Sequence, residues 1–316
     1  MLTAFRGSDG QHAGSTATAR NDGSQWVREK YERLSSLVPL TNWVRFGDTE
    51  ASATMHAALW NGSAWDLHLS NRMAVSAALD ILLGRDNRLQ VLSVLSTEGG
   101  TKSAEVRVLD AGTGWGGTVF FTEAARAAAA AMDSTRDYPL VQYDGLTLSP
   151  TQARQANDVA ARKGLDTTAK FFVTSFDAEL PSSSPYAVVF AIESLEHSPN
   201  LDVTLGHLSD ALLPSGMLVI LTDVLSETGE QDKDASLLAD YQTHWCGPHT
   251  TPWTPPASLP AWRAKFETAG LGLVSQTDLS ASLYQRPHWG LTALLRALRV
   301  AHIWATSAGQ DCERTL

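Results

Sequence analysis

Short apolar runs alternate with longer amphipathic segments over much of this chain, most clearly between residues 106 and 277. The apolar runs predict strands near 106–110, 139–146, 169–176, 186–192, 216–223 and 271–277. Apolar positions three and four residues apart predict helices near 116–131, 150–163, 200–212 and 258–269. This alternation predicts an α/β fold with a Rossmann-like, doubly wound and mostly parallel sheet, in which ligands bind beyond the carboxyl ends of the strands.

The amino-terminal part of the chain has a different pattern. Residues 1–24 are rich in Gly, Ser, Thr and Ala and lack an apolar period, which predicts a disordered tail. Amphipathic helices are predicted over 26–38, where Pro39 ends the first, and over 73–83. We therefore divide the rest of the chain into an N-terminal helical cap and substrate-side segment (25–95), a ligand-binding core (96–225), and a cap insertion with the C-terminal sheet strands (226–316).

A glycine-rich turn follows the first predicted strand of the core. Residues 106–117 read VRVLDAGTGWGG, so an apolar run ends in Asp110 and glycines follow at alternate positions. A strand, a tight glycine loop and a helix N-terminus together hold the phosphate or amino acid part of a nucleotide-like cofactor in α/β sheets. An ordinary strand–helix turn needs fewer glycines.

The same turn fits two cofactor templates. Gly112, Gly114 and Gly117 satisfy G-x-G-x-x-G, which is typical of NAD-dependent oxidoreductases. Asp110 with Gly112, Gly114 and Gly116 also satisfies D-x-G-x-G-x-G, which is typical of S-adenosylmethionine (SAM) sites. A carboxylate complements the ammonium of SAM but repels a pyrophosphate, so Asp110 favours SAM.

Length and composition are those of a globular enzyme. The chain has 316 residues, is 43% hydrophobic and carries a formal net charge of −10, which argues against a nucleic-acid partner. No apolar run is long enough for a membrane span. Cys246 and Cys312 show neither zinc nor disulfide spacing, and no metal site is expected. A cytoplasmic location is the simplest interpretation, although the Arg and Ser content of the N-terminus leaves an organelle transit segment open.

The end of the second core strand carries polar side chains. Residues 145–152 read GLTLSPTQ, which places Thr147 where a ribose-binding acid usually lies. Thr147 and Gln152 can hydrogen-bond ribose hydroxyls without charge. The alternative is that Thr147 and Ser149 cap the helix predicted to begin at Pro150.

Three ordered motifs resemble a known family. Residues 109–117 (LDAGTGWGG), 145–152 (GLTLSPTQ) and 193–200 (ESLEHSPN) are similar to the class I SAM-dependent methyltransferases that act on sterols, tocopherols and other natural products. The first two motifs also resemble cyclopropane fatty acid synthases. Upstream, residues 55–60 (MHAALW) resemble a substrate-side His-x-Gly-x-Trp segment, with Ala58 in place of the glycine.

This resemblance implies a cofactor site and a topology. Methionine-moiety contacts are expected at Asp110, Gly112 and Gly114, with Trp115 beside the loop. The remaining cofactor contacts are expected at Thr147, Leu148, Gln152, Ser175 and Phe176. The implied sheet has seven strands, the last of them antiparallel, and residues 299–307 are the only candidate found for that strand.

Candidate catalytic groups follow the fourth core strand. A methyl acceptor that must lose a proton benefits from a general base, and His197 is our leading candidate because imidazole titrates near neutrality. Glu193 shares the segment, and His56 of the upstream motif is a further candidate. The alternative is that Glu193 and His197 only orient SAM or cap the next helix.

Tryptophan is concentrated outside the predicted cofactor core. We assign substrate-binding roles to Glu196 and to four of the tryptophans, Trp60, Trp245, Trp253 and Trp289. An aromatic pocket suits an apolar small molecule, including isoprenoids, phenols and alkaloid amines, although these side chains also suit core packing. The sequence thus predicts a methyltransferase acting on carbon, nitrogen or oxygen of such a molecule. The alternatives are a cyclopropane synthase-like enzyme acting on a lipid alkene and an NAD-dependent oxidoreductase.

Overall fold

The computed structural model describes the secondary structure of most of the predicted core. The described residues are 2–7, 22–35, 59–60, 65–66, 68–85, 105–133, 138–182, 185–198, 200–224 and 258–283. The chain divides into two compact units, Met1–Asp278 and Leu279–Leu316. The second unit contributes the short helix α7 (Ser280–Leu283) to the described part.

A seven-stranded mixed sheet forms the centre of the first unit. Its strands are β1 (Leu2–Gly7), β4 (Glu105–Ala111), β5 (Leu140–Thr147), β6 (Ala169–Val173), β7 (Tyr186–Ile192), β8 (Leu212–Leu221) and β9 (Leu271–Thr277). The spatial order is β6-β5-β4-β7-β8-β1-β9, and β2 (Leu59–Trp60) and β3 (Trp65–Asp66) form a separate antiparallel pair. Strands β4 to β8 run parallel, so their carboxyl ends meet at one edge.

Helices connect these strands at nearly the predicted places. They are α1 (Asp22–Leu34), α2 (Leu69–Leu82), α3 (Gly117–Met132), α4 (Pro150–Arg162), α5 (Leu201–Asp210) and α6 (Leu259–Thr268). Helix α1 begins and ends four residues earlier than predicted. The predicted C-cap glycines, Gly164 and Gly270, both adopt positive φ. The prediction of an α/β, doubly wound, mostly parallel sheet is confirmed.

The antiparallel strand of the sheet comes from the amino terminus. Strand β1 lies between β8 and β9 and runs antiparallel to both, from Leu2 opposite Leu221 to Arg6 opposite Met217. The prediction of a disordered tail is therefore wrong for Leu2–Gly7 and also for the start of α1. The expectation that the last strand supplies this position is wrong as well, and residues 299–307 lie outside the described part of the chain.

Side-chain burial explains the central place of β7 and the attachment of β1. All seven residues of β7 are buried, as expected for a strand covered on both faces by helices. Phe5 of β1 is 2% exposed and its ring centroid lies 4.1 Å from that of Phe266 on α6. Phe266 in turn stacks on Trp262, and both belong to the same core cluster as Phe5. A single aromatic side chain thus anchors β1 to the helix that precedes β9.

None of the helices in the described ranges is long and apolar enough to cross a membrane.

Candidate functional site

The glycine loop at the carboxyl end of β4 is held by its neighbouring strand. The backbone N–H groups of Gly112 and Thr113 donate to the carbonyl of Leu146 on β5, at 3.1 and 2.8 Å. Helix α3 begins directly after the loop, so its first N–H groups and the positive end of its dipole face this edge of the sheet. The loop therefore presents backbone donors where the sequence predicts the cofactor.

Two of the glycines are required for different reasons. At Gly112 (φ +102°) a Cβ would come within 2.3 Å of the Ser194 Cβ, because the loop after β7 packs directly against the glycine loop. The Ser194 hydroxyl donates to the carbonyl of Ala111 at 2.6 Å and fixes this approach. At Gly114 (φ +54°) a Cβ would meet no described atom within 4 Å. Gly112 thus allows close packing, whereas Gly114 borders open space.

Asp110 is a buried carboxylate at the end of β4. Its side chain is 1% exposed, and its Oδ2 atom has no hydrogen-bond partner in the described part of the chain. Burial raises the pKa of Asp110 from 3.8 to about 7, an effect that the nearby Thr113 hydroxyl only partly opposes. A buried acceptor of this kind costs free energy unless a cation or donor approaches it.

The end of β5 supplies a second set of polar groups. Thr147 donates from its hydroxyl to the Gln152 Oε1 atom at 2.6 Å, while the Gln152 Nε2 atom is buried and has no partner in the described residues. Ser149, rather than Thr147, caps α4 by accepting from the Gln152 backbone N–H at 3.1 Å. Leu148 lies between them and is partly exposed.

Ser175 and Phe176 follow β6 on the same edge of the sheet. The Ser175 hydroxyl donates to Asp177 at 3.1 Å, and Asp177 also accepts from Thr204 on α5. Phe176 is partly buried and packs against the core cluster. Trp115 is 3% exposed, and its indole N–H donates to the Gln155 Oε1 atom on α4 at 2.7 Å. The Trp115 contact fixes the loop against α4, which the sequence did not indicate.

The segment after β7 brings the predicted catalytic groups to this edge. Glu193 has a left-handed backbone (φ 50°), and its N–H donates to the carbonyl of Leu221 at 2.8 Å. A single 3-10 turn, Leu195–His197, follows, so Glu193 and His197 do not share a continuous helix. Glu196 is 2% exposed and His197 is 8% exposed, which makes both of them part of the protein interior.

Glu196 is the second buried carboxylate of the site. Its Oε2 atom has no hydrogen-bond partner in the described part of the chain. Burial raises the pKa of Glu196 to about 8, and the charges of Glu193 and Asp223 add to the effect. Glu196 is therefore largely neutral at pH 7 unless a positive charge binds beside it.

Helix α1 contributes two residues that sequence reasoning missed. The Tyr31 hydroxyl and the His197 Nε2 atom are 2.6 Å apart. The Glu32 carboxylate accepts from the Ser149 hydroxyl at 2.6 Å and from the Thr151 N–H at 3.0 Å. Burial alone would raise the pKa of Glu32, but these hydrogen bonds lower it below its ordinary value. Only the amphipathic pattern of α1 was visible in the sequence, and it does not reveal which residues the helix contacts.

Several predicted residues are not brought to the site by the described structure. His56, Trp245, Trp253 and Trp289 lie outside the described residues, and Trp60 is described only through its backbone pairing with Trp65 in the β2–β3 hairpin. Their roles therefore remain predictions. Within the described ranges, no group of three or more His, Cys, Asp or Glu side chains is arranged to hold a metal ion.

Comparison with known proteins identifies the family. A family model described as a methyltransferase domain matches residues 83–276, which is more than half of the chain and includes every strand from β4 to β9. The chain belongs to this methyltransferase-domain family. The resemblance stated from the three sequence motifs is thereby confirmed.

Individual relatives match shorter stretches of the chain. The chloroplastic tocopherol O-methyltransferase of Arabidopsis thaliana is 35% identical over 78 residues, which is 25% of this chain and 22% of that protein. A sterol 4-C-methyltransferase of Caenorhabditis elegans is 29% identical over 90 residues, 28% of this chain and 26% of that protein. The matched stretches thus span about a quarter of the length of each curated relative.

A solved structure extends the similarity of the fold beyond these stretches. The (4+2)-cyclase SpnF has a TM-score of 0.53 and 21% identity, with coverage of 82% of this chain and 76% of the cyclase chain. This likeness concerns the fold alone. A shared fold does not establish a shared reaction, which depends on the residues of the site.

Proposed function

We propose that the protein transfers the methyl group of SAM to a small apolar molecule. The observation that carries this proposal is the buried carboxylate of Asp110, which lies at the glycine loop and has one oxygen without a hydrogen-bond partner among the described residues. The ammonium of a bound amino acid moiety would satisfy that oxygen, and a pyrophosphate would be repelled by it. Asp110 therefore supports SAM as the cofactor over NAD.

The other groups at the carboxyl edge of the sheet also suit SAM. Gly114 borders open space next to Asp110, and the N-terminus of α3 suits a carboxylate. The Gln152 Nε2 atom, which has no partner within the described ranges, and the Thr147 hydroxyl suit ribose oxygens. Ser175 and Phe176 at the end of β6 are assigned to the adenine side. When bound, the cofactor supplies an electrophilic methyl group, and the protein aligns the acceptor with it.

The substrate class rests on composition and on the names of the relatives. The two curated relatives are named for tocopherol and for a sterol, both largely apolar molecules. The chain has ten tryptophans, and nine of them lie outside the predicted core 96–225, including those at positions 60, 65, 245, 253, 262 and 289. We infer an isoprenoid, phenolic or alkaloid-like acceptor that is methylated on carbon, nitrogen or oxygen.

One experiment tests cofactor and reaction together. Calorimetric titration with SAM, S-adenosylhomocysteine and NAD should show binding of the first two only. Trideuteromethyl SAM should then be incubated with a panel of isoprenoids, phenols, amine alkaloids and unsaturated phospholipids, with mass spectrometry of the products. A methyl product keeps all its deuterons, whereas a cyclopropane loses one of them. Binding of NAD without SAM, or SAM binding without a labelled product, would contradict the proposal.

A matched pair of glycine variants tests the position of the cofactor. Gly114 and Gly164 both have left-handed φ (+54° and +70°), and a Cβ would meet no described atom at either site. The backbone strain of an alanine is therefore similar at the two positions. We expect Gly114→Ala to weaken S-adenosylhomocysteine binding about tenfold, roughly 1.4 kcal/mol, and Gly164→Ala to leave it unchanged in calorimetry. Equal affinities for both variants would place the cofactor elsewhere.

A further inference from the structure

Helix α1 contacts the segments that follow both neighbours of β4. Tyr31 contacts His197, which follows β7, while Glu32 on the same helix contacts Ser149 and Thr151, which follow β5. In the sheet, β4 lies between β5 and β7. Two neighbouring residues of α1 therefore contact the segments that follow the two strands beside β4. These contacts place Tyr31 at the carboxyl edge of the sheet, where the sequence predicts the cofactor.

Tyr31 and His197 form a close pair with unequal exposure. The Tyr31 oxygen is 2.6 Å from His197 Nε2, and the two rings meet edge to face with centroids 5.4 Å apart. His197 is 8% exposed, whereas Tyr31 is only partly buried. With its Nε2 atom engaged by the hydroxyl, His197 is poorly placed to take a proton from an acceptor directly. Tyr31 is the more exposed residue of the pair.

We propose that Tyr31 relays a proton from the methyl acceptor to His197. The inference rests on the proposed function, since it requires an acceptor that loses a proton when it is methylated. The acceptor proton moves to the Tyr31 oxygen while the tyrosine's own proton moves to His197 Nε2. Tyr31 ends neutral, His197 ends as an imidazolium, and the electron pair of the former acceptor–hydrogen bond stays on the acceptor. Solvent later removes the proton from His197.

Elementary chemistry explains why two residues serve better than one. An isolated tyrosine is a poor base at neutral pH, because its anion forms only near pH 10. In the relay no tyrosinate accumulates, since the imidazole takes the tyrosine proton in the same event. An imidazole holds an added proton far better than a neutral phenol does. The relay thus leaves the proton on the imidazole of His197 and not on Tyr31.

The direction of the hydrogen bond between Tyr31 and His197 can be determined by NMR without any substrate. The chain contains nine histidines, so nitrogen-15 NMR of histidine-labelled protein is feasible, with His197→Gln assigning the signal. The relay requires neutral His197 to carry its proton on Nδ1 and to accept at Nε2. We expect that tautomer in the native protein and a mixture of tautomers in Tyr31→Phe. A proton on Nε2 in the native protein would make His197 the donor and overturn the relay.

Kinetic measurements with a methyl acceptor identified from the panel of candidate substrates provide the second test of the relay. We expect Tyr31→Phe to lower kcat at least about tenfold while the KM for SAM changes less than about twofold. Tyr138→Phe is the matched control, since Tyr138 precedes β5 at the opposite edge of the sheet and should keep native kinetics. Full activity of Tyr31→Phe alongside an active native enzyme would refute the relay alone. Absence of transfer by the native enzyme would refute the proposed function and the relay with it.

Discussion

Replacing Phe5 by alanine should lower the free energy of unfolding by about 3–5 kcal/mol, the usual cost of removing a buried aromatic side chain. Phe5 is 2% exposed and packs against Phe266, which stacks on Trp262, so its removal leaves a cavity between β1 and α6. The neighbouring aromatic rings are rigid and fill such a cavity poorly. Urea unfolding followed by circular dichroism measures the change.

The control for this prediction lies on the neighbouring strand. Leu273 of β9 pairs with Phe5 in the sheet register but is 43% exposed. Leu273→Ala therefore removes little buried surface and should cost less than about 1 kcal/mol. A Phe5→Ala protein that unfolds at the native urea concentration would show that β1 does not stabilise the sheet, and the antiparallel position would then need another occupant.

Asp110→Asn should have opposite effects on stability and on cofactor binding. Because burial raises the pKa of Asp110 from 3.8 to about 7, the folded state holds its proton more tightly than the unfolded state. The folded protein therefore loses stability as pH rises from about 4 to 7, and the full penalty, at most roughly 4 kcal/mol, applies above pH 7. Asparagine removes this penalty, so the variant should gain more stability at pH 8 than at pH 5.

Binding should change in the other direction. The ionised carboxylate is the form that attracts an ammonium, so native affinity for S-adenosylhomocysteine should rise roughly tenfold between pH 6.0 and 7.5 as Asp110 loses its proton. Asp110→Asn should bind about 10–100-fold more weakly at pH 7.5 and should lose this pH dependence. Calorimetry at the two pH values measures both effects. Native-like affinity in the variant would contradict the assignment of Asp110 to the ammonium.

Asp144 provides the contrasting case one strand away. It is also buried, but it accepts from Arg107 at 2.6 Å and from Tyr186 at 2.9 Å. Asp144→Asn removes the closer and more buried charged partner of Arg107 and leaves Glu105 at 3.4 Å, so this variant should lose stability at pH 8 rather than gain it. The same substitution on adjacent strands thus distinguishes Asp144, which is paired within the fold, from Asp110, which we propose pairs with the ammonium of the bound cofactor. A gain in both variants would indicate a general effect of reduced negative charge.

The sequence predicted the parts of the molecule that local patterns determine. Strands β4 to β9 and helices α3 to α6 follow from apolar periodicity, and Gly112 and Asp110 follow from a motif whose spacing reflects one loop. The order of motifs also identified the family. These features depend on neighbours within a few residues of one another, which is the range over which a sequence pattern carries information.

Long-range contacts account for what was missed. Strand β1 is a six-residue strand in a polar, small-residue context, and only pairing with β8 and β9 defines it. Tyr31 and Glu32 lie on a helix whose partners are more than a hundred residues away. The hydrogen bond from the Trp115 indole N–H to Gln155 joins residues 40 positions apart, and the place of Trp115 in the cofactor site stays a prediction. In each case a side chain or strand takes its role from a partner that no local pattern names.

The position of β1 also has a consequence for the order in which the chain can fold. The ribosome releases this strand before either of its partners, since β8 begins at Leu212 and β9 at Leu271. At ordinary synthesis rates β1 waits roughly 10–40 s for β8. Strands β4 to β7 can pair with one another in the meantime, and β1 must then close a very long loop to reach β8, which is slow. Among the described strands of the large sheet, β1 is therefore synthesised first, yet it can pair only after β8 has been made, and β9 can join only through β1.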